Sequence, residues 1–222
     1  MKDEKNPAQE LKEKLFAQPK HAALRMSDEE IASAFEWCEG YKSFLDENRT
    51  EREITAFSQK LAESRGFEKF DSSKKYSAGD KVWFNVKEKA IILAVFGTRP
   101  LSDGVKIAAA HIDSPRLDVK PNPLYEDSEI AYLKTHYYGG IKKYQWTTVP
   151  LALHGVVYKK NGEVITVTIG EKDTDPVLCV SDLLIHLSGD QMKKTLAEGI
   201  AGEQLNVIMG TIPLPDDDGA DP

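Results

Sequence analysis

The sequence contains only two cysteines, Cys38 and Cys179, in 222 residues. Two cysteines cannot build the disulfide framework of a small secreted domain, and they are too few for a four-cysteine zinc site. Both lie in apolar surroundings in the sequence. We therefore expect two buried, reduced thiols.

Long apolar runs and an excess of basic residues are also absent. No apolar run approaches the roughly 18 residues of a membrane-spanning helix, and the charged N-terminus has no apolar signal segment. The 29 Lys and Arg residues are outnumbered by 36 Asp and Glu residues, which gives a net charge of −7. Acidic surfaces oppose binding to nucleic acid and to anionic membranes. We expect a cytoplasmic protein with neither partner.

Two capping boxes mark the starts of helices in the first third of the chain. Ser27 and Thr50 each precede a glutamate by three residues, and apolar residues then recur at helical spacing. The first helix is predicted to end at the polar segment 46–48, and the second at Gly66. Residues 1–26 are polar and weakly periodic, which predicts a short helix or an arm.

Two antiparallel hairpins are predicted further along the chain. Segments 82–86 and 91–96 are apolar and flank a short charged turn. Segments 151–158 and 164–169 flank an Asn-Gly pair, which is a strong turn signal. Hydrophobic residues make up 41% of the composition, so a real core can form around these elements.

The apolar run 107–110 predicts a buried central strand that delivers His111. On a strand His111 and Asp113 point to the same face, ~6.6 Å apart along the chain. The strand would end at Pro115, because proline cannot donate to a sheet ladder. A neutral imidazole can bind a metal while a nearby carboxylate orients it. The pattern fits a metal-dependent active site at a strand end, but taken alone it is a weak motif that more often marks a core histidine or a turn aspartate.

Three sequence blocks extend this pattern. They are 111–126, which begins His-Ile-Asp-Ser-Pro-Arg-Leu-Asp, 133–146, which contains Tyr-Tyr-Gly-Gly-Ile-Lys-Lys-Tyr, and 150–155, Pro-Leu-Ala-Leu-His-Gly. Together they closely resemble the aspartyl aminopeptidase and aminopeptidase I family of dinuclear zinc exopeptidases. The resemblance implies an α/β fold: part of a zinc-exopeptidase-like catalytic scaffold with an inserted β-rich dimerisation domain.

The resemblance also implies roles for three residues. His111 would be a zinc ligand and Asp113 would support the site. His186, in an expected helix that opens at Ser181, would reach across a subunit interface into the neighbour's active site and meet its substrate. The alternative for His186 is a helix histidine that faces solvent or sits in the core.

His136 and His154 are expected to be structural, because neither has an acidic partner nearby at ligand spacing.

The family's other ligands have no match here: a bridging aspartate, a Glu-Glu pair that supplies the general base, a further acidic ligand and a final histidine. We therefore expect an N-terminal half, with an arm at 1–26, part of the catalytic domain at 27–115, and an incomplete dimerisation domain at 116–222 that ends in an acidic loop.

The leading expectation is a metal-dependent aminopeptidase that, as a complete protein, releases N-terminal amino acids from peptides. It would use two zinc ions, although cobalt and manganese accept the same ligand types, and it would form homodimers and higher homo-oligomers. A first alternative is a non-catalytic dimerisation or assembly module. A second is a single-metal hydrolase that uses His111, Asp113 and one distant residue.

Overall fold

A computed structural model describes residues 6–17 and 19–212. The chain divides into two compact units, Met1–Asn48 and Arg49–Pro222. The acidic loop predicted after residue 212 lies outside the described residues. The described part contains no helix with both the length and the apolar character needed to cross a membrane.

The first unit contains two α-helices. Helix α1 spans Pro7–Leu15, within the segment predicted as a short helix or arm. Helix α2 spans Asp28–Glu47 and starts at the predicted capping box: Ser27 Oγ accepts from the Glu30 amide at 3.2 Å, and the Glu30 carboxylate accepts from the Ser27 amide at 2.8 Å. The first predicted helix is confirmed.

The second unit opens with helix α3, Glu51–Ser64, capped by Thr50 and Glu53 as predicted. Gly66 adopts φ +80° just after the helix, where its amide donates to the Glu63 carbonyl. A left-handed residue at this position is the usual end of a helix and favours glycine. The predicted extent of the second helix is confirmed.

Helix α3 packs on a three-stranded sheet in the order β1, β2, β3. The strands are β1 Glu68–Lys69, parallel to β2 Lys81–Val86, which pairs antiparallel with β3 Ala90–Val95. The helix and β2 bury Ala62, Val82 and Trp83. The first predicted hairpin is therefore confirmed.

A second sheet has the order β4, β5, β8 and is entirely antiparallel. Its strands are β4 Arg116–Asp127, β5 Ile130–Tyr138 and β8 Val207–Gly210. The register between β4 and β5 shifts after Val119. Two prolines in β4, at positions 121 and 123, explain the irregularity because neither can donate to the ladder.

The second predicted hairpin is confirmed as β6 Leu153–Tyr158 and β7 Val164–Ile169, with Gly162 at φ +87° in the turn. The main core lies against the second sheet, and Leu153 of the hairpin packs at its edge. It is formed by six buried aliphatic side chains: Leu133, Leu178, Val180, Ile200, Leu205 and Val207.

The described residues form both helices and sheets, which confirms the α/β class as a mixed fold.

The expectation for the cysteines is wrong in one respect. Cys38 and Cys179 are free thiols as predicted, but both residues are exposed. Cys38 lies in helix α2, none of whose residues is buried. Cys179 lies between Leu178 and Val180, whose side chains are buried in the core, while its own side chain points to solvent.

Candidate active site

The segment that carries His111 is not a strand, so the prediction of a buried central strand at 107–110 is wrong. Residues 104–115 form no regular element, and the side chains of Val105 and Ile107 are 62% and 80% exposed. A strand exists only through pairing with a neighbour. None of the strands among residues 6–17 and 19–212 pairs with this segment, so its apolar sequence forms no strand.

His111 and Asp113 nevertheless meet. The Nδ1 atom of His111 lies 2.9 Å from the backbone carbonyl of Asp113 and 3.2 Å from its Oδ1. Both oxygens accept hydrogen bonds, so this geometry places the ring proton on Nδ1. The Nε2 atom then carries no proton, and its lone pair is free to bind a metal ion. The side chain is 83% exposed.

Tyr138, the last residue of β5, fixes the Asp113 carboxylate. Its hydroxyl donates to Asp113 Oδ2 at 2.7 Å. This hydrogen bond, together with one from the backbone, lowers the pKa of Asp113 below its ordinary value. The same contact raises the pKa of Tyr138, because the negative carboxylate opposes loss of the phenolic proton.

The guanidinium of Arg116, the first residue of β4, lies over the face of the Tyr138 ring. The guanidinium carbon lies 4.1 Å from the centre of the tyrosine ring, and the two residues are register partners in the sheet. The Arg116 side chain is itself anchored by Asp118 at 2.7 Å and by Glu51 of α3 at 3.0 Å. Contacts from β4 and α3 thus support Tyr138, the residue of β5 that reaches the His111 segment.

These residues fit part of a metal site. His111 offers one unprotonated ring nitrogen, and its other nitrogen rests on an acidic residue, as in metal-binding histidines generally. A zinc site needs three or four protein ligands. Within the described part of the chain, however, no group of three His, Cys, Asp or Glu residues is placed to hold a metal ion. The donor set therefore fits one ligand and its support, and not a complete centre.

Comparison with known proteins identifies the group to which this site belongs. Residues 44–220 match the family model described as aminopeptidase I zinc metalloprotease, M18. The chain belongs to the M18 family. The "Probable M18 family aminopeptidase 1" of Clostridium acetobutylicum is 45% identical over 206 residues, and the alignment covers 91% of this chain but 44% of that protein.

Solved structures share the fold. An M18 aminopeptidase from Thermotoga maritima is 37% identical, with a TM-score of 0.83, over 91% of this chain and 44% of that one. A structure of the S. cerevesiae mApe1 dodecamer is 19% identical, with a TM-score of 0.58, over 81% of this chain and 39% of that one. The chain thus spans less than half the length of these proteins.

His186 does not lie on a helix, so that expectation is wrong. Residues 185–187 form a turn in which the Leu187 amide donates to the Leu184 carbonyl at 2.8 Å. The Asp182 carboxylate accepts from the Leu183 amide and from the Gln191 side chain, and this local bonding competes with helix formation. His186 is exposed, and no contact in the described residues joins it to His111 or Asp113.

His154 has two acidic partners, which contradicts the expectation from sequence. Its Nδ1 lies 2.8 Å from Glu53 Oε1, and its Nε2 lies 2.8 Å from Glu171 Oε1. Glu53 and His154 are 101 residues apart in the chain, so no local spacing could have revealed the pair. Both ring nitrogens are engaged by carboxylates, which favours a structural role, as the sequence predicted, over a metal ligand.

Proposed function

We propose that this chain supplies the His111 and Asp113 half of the active site of a metal-dependent aminopeptidase that releases N-terminal amino acids from peptides. The observation that carries the proposal is the His111 imidazole, whose Nδ1 rests on Asp113 while Nε2 stays open at an exposed position. Membership of the M18 family gives the reaction class.

The residues of this chain have definite tasks in the proposal. His111 would bind one metal ion through Nε2, and Asp113 would hold the ring and keep the proton on Nδ1. When bound, zinc polarises the scissile carbonyl and lowers the pKa of a bound water. Two zinc ions are proposed, with cobalt or manganese as substitutes that the same ligand types accept.

The remaining ligands would come from a part of the protein that this chain does not contain. Support comes from the M18 relative of Clostridium acetobutylicum, of whose length the alignment covers 44%. The exposed apolar segment 105–110 and the edge strand β3, where Val95 is 59% exposed, would then be covered by that part. Apolar surface of this kind marks an interface or a face that other structure covers.

The second sheet and the β6–β7 hairpin are proposed to belong to an inserted dimerisation domain, 116–222, that follows the catalytic part at 27–115. A second copy of the chain would cover the apolar face of the hairpin tip, where Val157 and Ile165 are register partners and 50% and 37% exposed. The yeast dodecamer, although distant in sequence, shows that a protein of this fold assembles. Homodimers are the commonest assemblies of soluble proteins.

His186 is proposed to act across that interface on the neighbour's substrate. The turn that carries it exposes Leu184, Ile185 and Leu187, each by 66% or more of its surface. A histidine in an exposed apolar loop suits an interface that buries the loop against a second copy.

We further propose a cytoplasmic location, which the two free thiols and the absence of a disulfide among the described residues support.

A chimera tests the function. This chain would be joined to the remaining C-terminal part of the Clostridium acetobutylicum relative and assayed with aminoacyl chromogenic substrates, with and without a chelator. We expect chelator-sensitive hydrolysis that His111→Ala lowers by more than about 100-fold. The control is His21→Asn, which keeps a cap acceptor at an exposed histidine. An assembled but inactive chimera would favour the assembly module instead.

A further inference from the structure

We propose that Tyr138 is a positioning residue of the active site: its hydroxyl fixes Asp113, whose backbone carbonyl and carboxylate together hold the proton of His111 on Nδ1 and keep Nε2 open. This inference rests on the proposed function, in which His111 binds a metal ion through Nε2. Its evidence, however, is the geometry of three side chains. The tyrosine at the end of β5 contacts Oδ2 of Asp113, and Asp113 contacts the imidazole Nδ1 through its backbone carbonyl at 2.9 Å and through Oδ1 at 3.2 Å.

The need for such a residue follows from the irregular backbone around His111. Residues 104–115 have no strand to hold them, and the His111 side chain is 83% exposed. Asp113 itself is only partly buried, with 35% of its side chain exposed, and an aspartate in such a segment would normally rotate between several conformations. The hydrogen bond from the Tyr138 hydroxyl, at 2.7 Å to Oδ2, ties this carboxylate to a regular strand and leaves Oδ1 beside His111.

The tyrosine is rigid enough for this task. Its ring is covered by the Arg116 guanidinium at 4.1 Å, and Arg116 is ion-paired with both Asp118 and Glu51. A cation over an aromatic face is attractive, and the two ion pairs restrict the arginine. The tyrosine is therefore held through its ring, independently of its hydroxyl, so removal of the hydroxyl should leave the ring in place.

The backbone brings the two segments together at the same point. Gly139 follows the tyrosine with φ +82°, and a Cβ built on it would lie 3.5 Å from the Pro115 backbone and ring. The loop that carries Asp113 thus lies directly against the end of β5. This close approach explains how a tyrosine 25 residues from Asp113 in the chain reaches its carboxylate.

The chemical consequence concerns which ring nitrogen of His111 carries the proton. Metal-binding histidines donate from one ring nitrogen to an acceptor and thereby keep the other free for the metal. Without the tyrosine, the Asp113 carboxylate would turn away for part of the time, and the backbone carbonyl of Asp113, in a segment that no strand pairs with, would lose its fixed position beside Nδ1. The proton of the neutral ring would then spend more time on Nε2, the atom that the metal needs.

The test measures the proton position directly. The chain would be labelled with ¹⁵N-histidine, and the His111 ring nitrogens would be observed by NMR at a pH where the ring is neutral. The sequence has five histidines, so His111→Gln assigns the signals. The variant is Tyr138→Phe. The matched control is Tyr137→Phe. Tyr137 directly precedes Tyr138 in β5, and its hydroxyl makes no hydrogen bond among the described residues.

In the wild-type chain we expect the proton on Nδ1, and in Tyr138→Phe a clear shift of population towards Nε2. Tyr137→Phe should match the wild type. Backbone amide signals from buried Leu205 report that each variant is folded. An unchanged His111 in folded Tyr138→Phe, or an equal shift in Tyr137→Phe, would overturn the proposal.

A second readout separates this inference from the proposed function. In the chimera, Tyr138→Phe should weaken zinc binding by about 10- to 100-fold, as other outer hydrogen-bond partners do. Unchanged zinc affinity in a metal-binding chimera would contradict the positioning role. A chimera that bound no zinc at all, while the NMR shift occurred as expected, would sink the aminopeptidase proposal and support the placement of Tyr138.

Discussion

The imidazole of His154 in β6 hydrogen-bonds to the carboxylate of Glu53 in the first turn of α3, with 2.8 Å between Nδ1 and Oε1. The second oxygen of Glu53 accepts from the backbone amides of Arg49 and Thr50, which completes the helix cap. The other ring nitrogen contacts Glu171, which is also paired with Arg49. One histidine thereby joins the hairpin to the start of the helix.

The charges around His154 favour its protonated form. Burial of the ring opposes protonation, but the hydrogen bonds and charges of Glu53 and Glu171 outweigh this effect and raise the pKa of His154. Burial likewise opposes ionisation of Glu53, yet hydrogen bonds from His154, Arg49 and Thr50 lower its pKa. The hydrogen bond from His154 also lowers the pKa of Glu171.

The stabilising effect of this cluster should depend on pH. A raised histidine pKa contributes stability that is complete below the unfolded value, about 6.5, and is lost as the pH rises through the folded value. Lowered glutamate pKa values contribute stability that is complete above about 4.3 and is lost as the pH falls through the folded values. The maximum contribution is expected between these two limits.

We predict that His154→Gln lowers the free energy of unfolding by about 1–3 kcal/mol near pH 6, because charge-assisted hydrogen bonds are lost from a side chain that is only 9% exposed. The difference from wild type should shrink as the pH rises above the folded-state pKa of His154. Urea unfolding at several pH values measures it. His21→Asn, which keeps a cap acceptor at an exposed histidine, serves as the control. An equal pH trend in both variants would refute the stabilising role of the His154 cluster.

A second prediction concerns Gly170, which precedes Glu171 and has φ +98°. A Cβ at this position would lie 3.0 Å from the Ala152 Cα, so Gly170→Ala adds a steric conflict to an unfavourable backbone angle. We expect a loss of about 1–3 kcal/mol in unfolding free energy. Gly162→Ala, with φ +87° and open space around it, isolates the backbone cost and should lose less. Equal losses would show that the contact with Ala152 is unimportant.

A third prediction addresses assembly. Sedimentation of the purified chain at micromolar concentration should show at least a dimer. Val157→Glu places a charge on the apolar hairpin face and should weaken association by at least about 10-fold. Thr166→Glu adds the same charge to the opposite face of the hairpin and is the matched control. A monomeric wild-type chain would contradict an interface in residues 120–170.

The helices and two hairpins could be predicted because their signals are local. The capping boxes at Ser27 and Thr50 and the Asn161-Gly162 turn each specify geometry within a few residues. The β4–β5 hairpin has no such signal. Its two turn residues, Ser128 and Glu129, adopt φ +55° and +63°, as Lys87 and Glu88 do between β2 and β3. The flanking apolar runs predict β2 and β3, whereas the prolines at 121 and 123 interrupt such a run in β4.

The site could be predicted only in part for the same reason. His111 and Asp113 are two residues apart, and their sequence motif identified the pair. Tyr138 acts on Asp113 across 25 residues. Pairing partners cannot be inferred from an apolar run alone. Segment 107–110 has the composition of a buried strand, which predicts one, but no strand among the described residues pairs with it.

The fourth prediction is that this chain alone neither holds a dinuclear zinc centre nor hydrolyses peptides. The His111 region offers one imidazole and one carboxylate, and no group of three suitable ligands exists in the described part. A zinc site requires three or four ligands. The isolated chain should therefore lose added zinc during dialysis.

The measurement that tests the central claim most directly is the zinc retained per polypeptide after dialysis, compared between this chain, the chimera and the chimera with His111→Ala. The account predicts tight zinc only in the unmodified chimera, and a loss of bound metal on substitution of His111. Stoichiometric zinc on the isolated chain, or unchanged zinc in the His111→Ala chimera, would contradict the assignment of His111 and Asp113 as half of an M18 metal site.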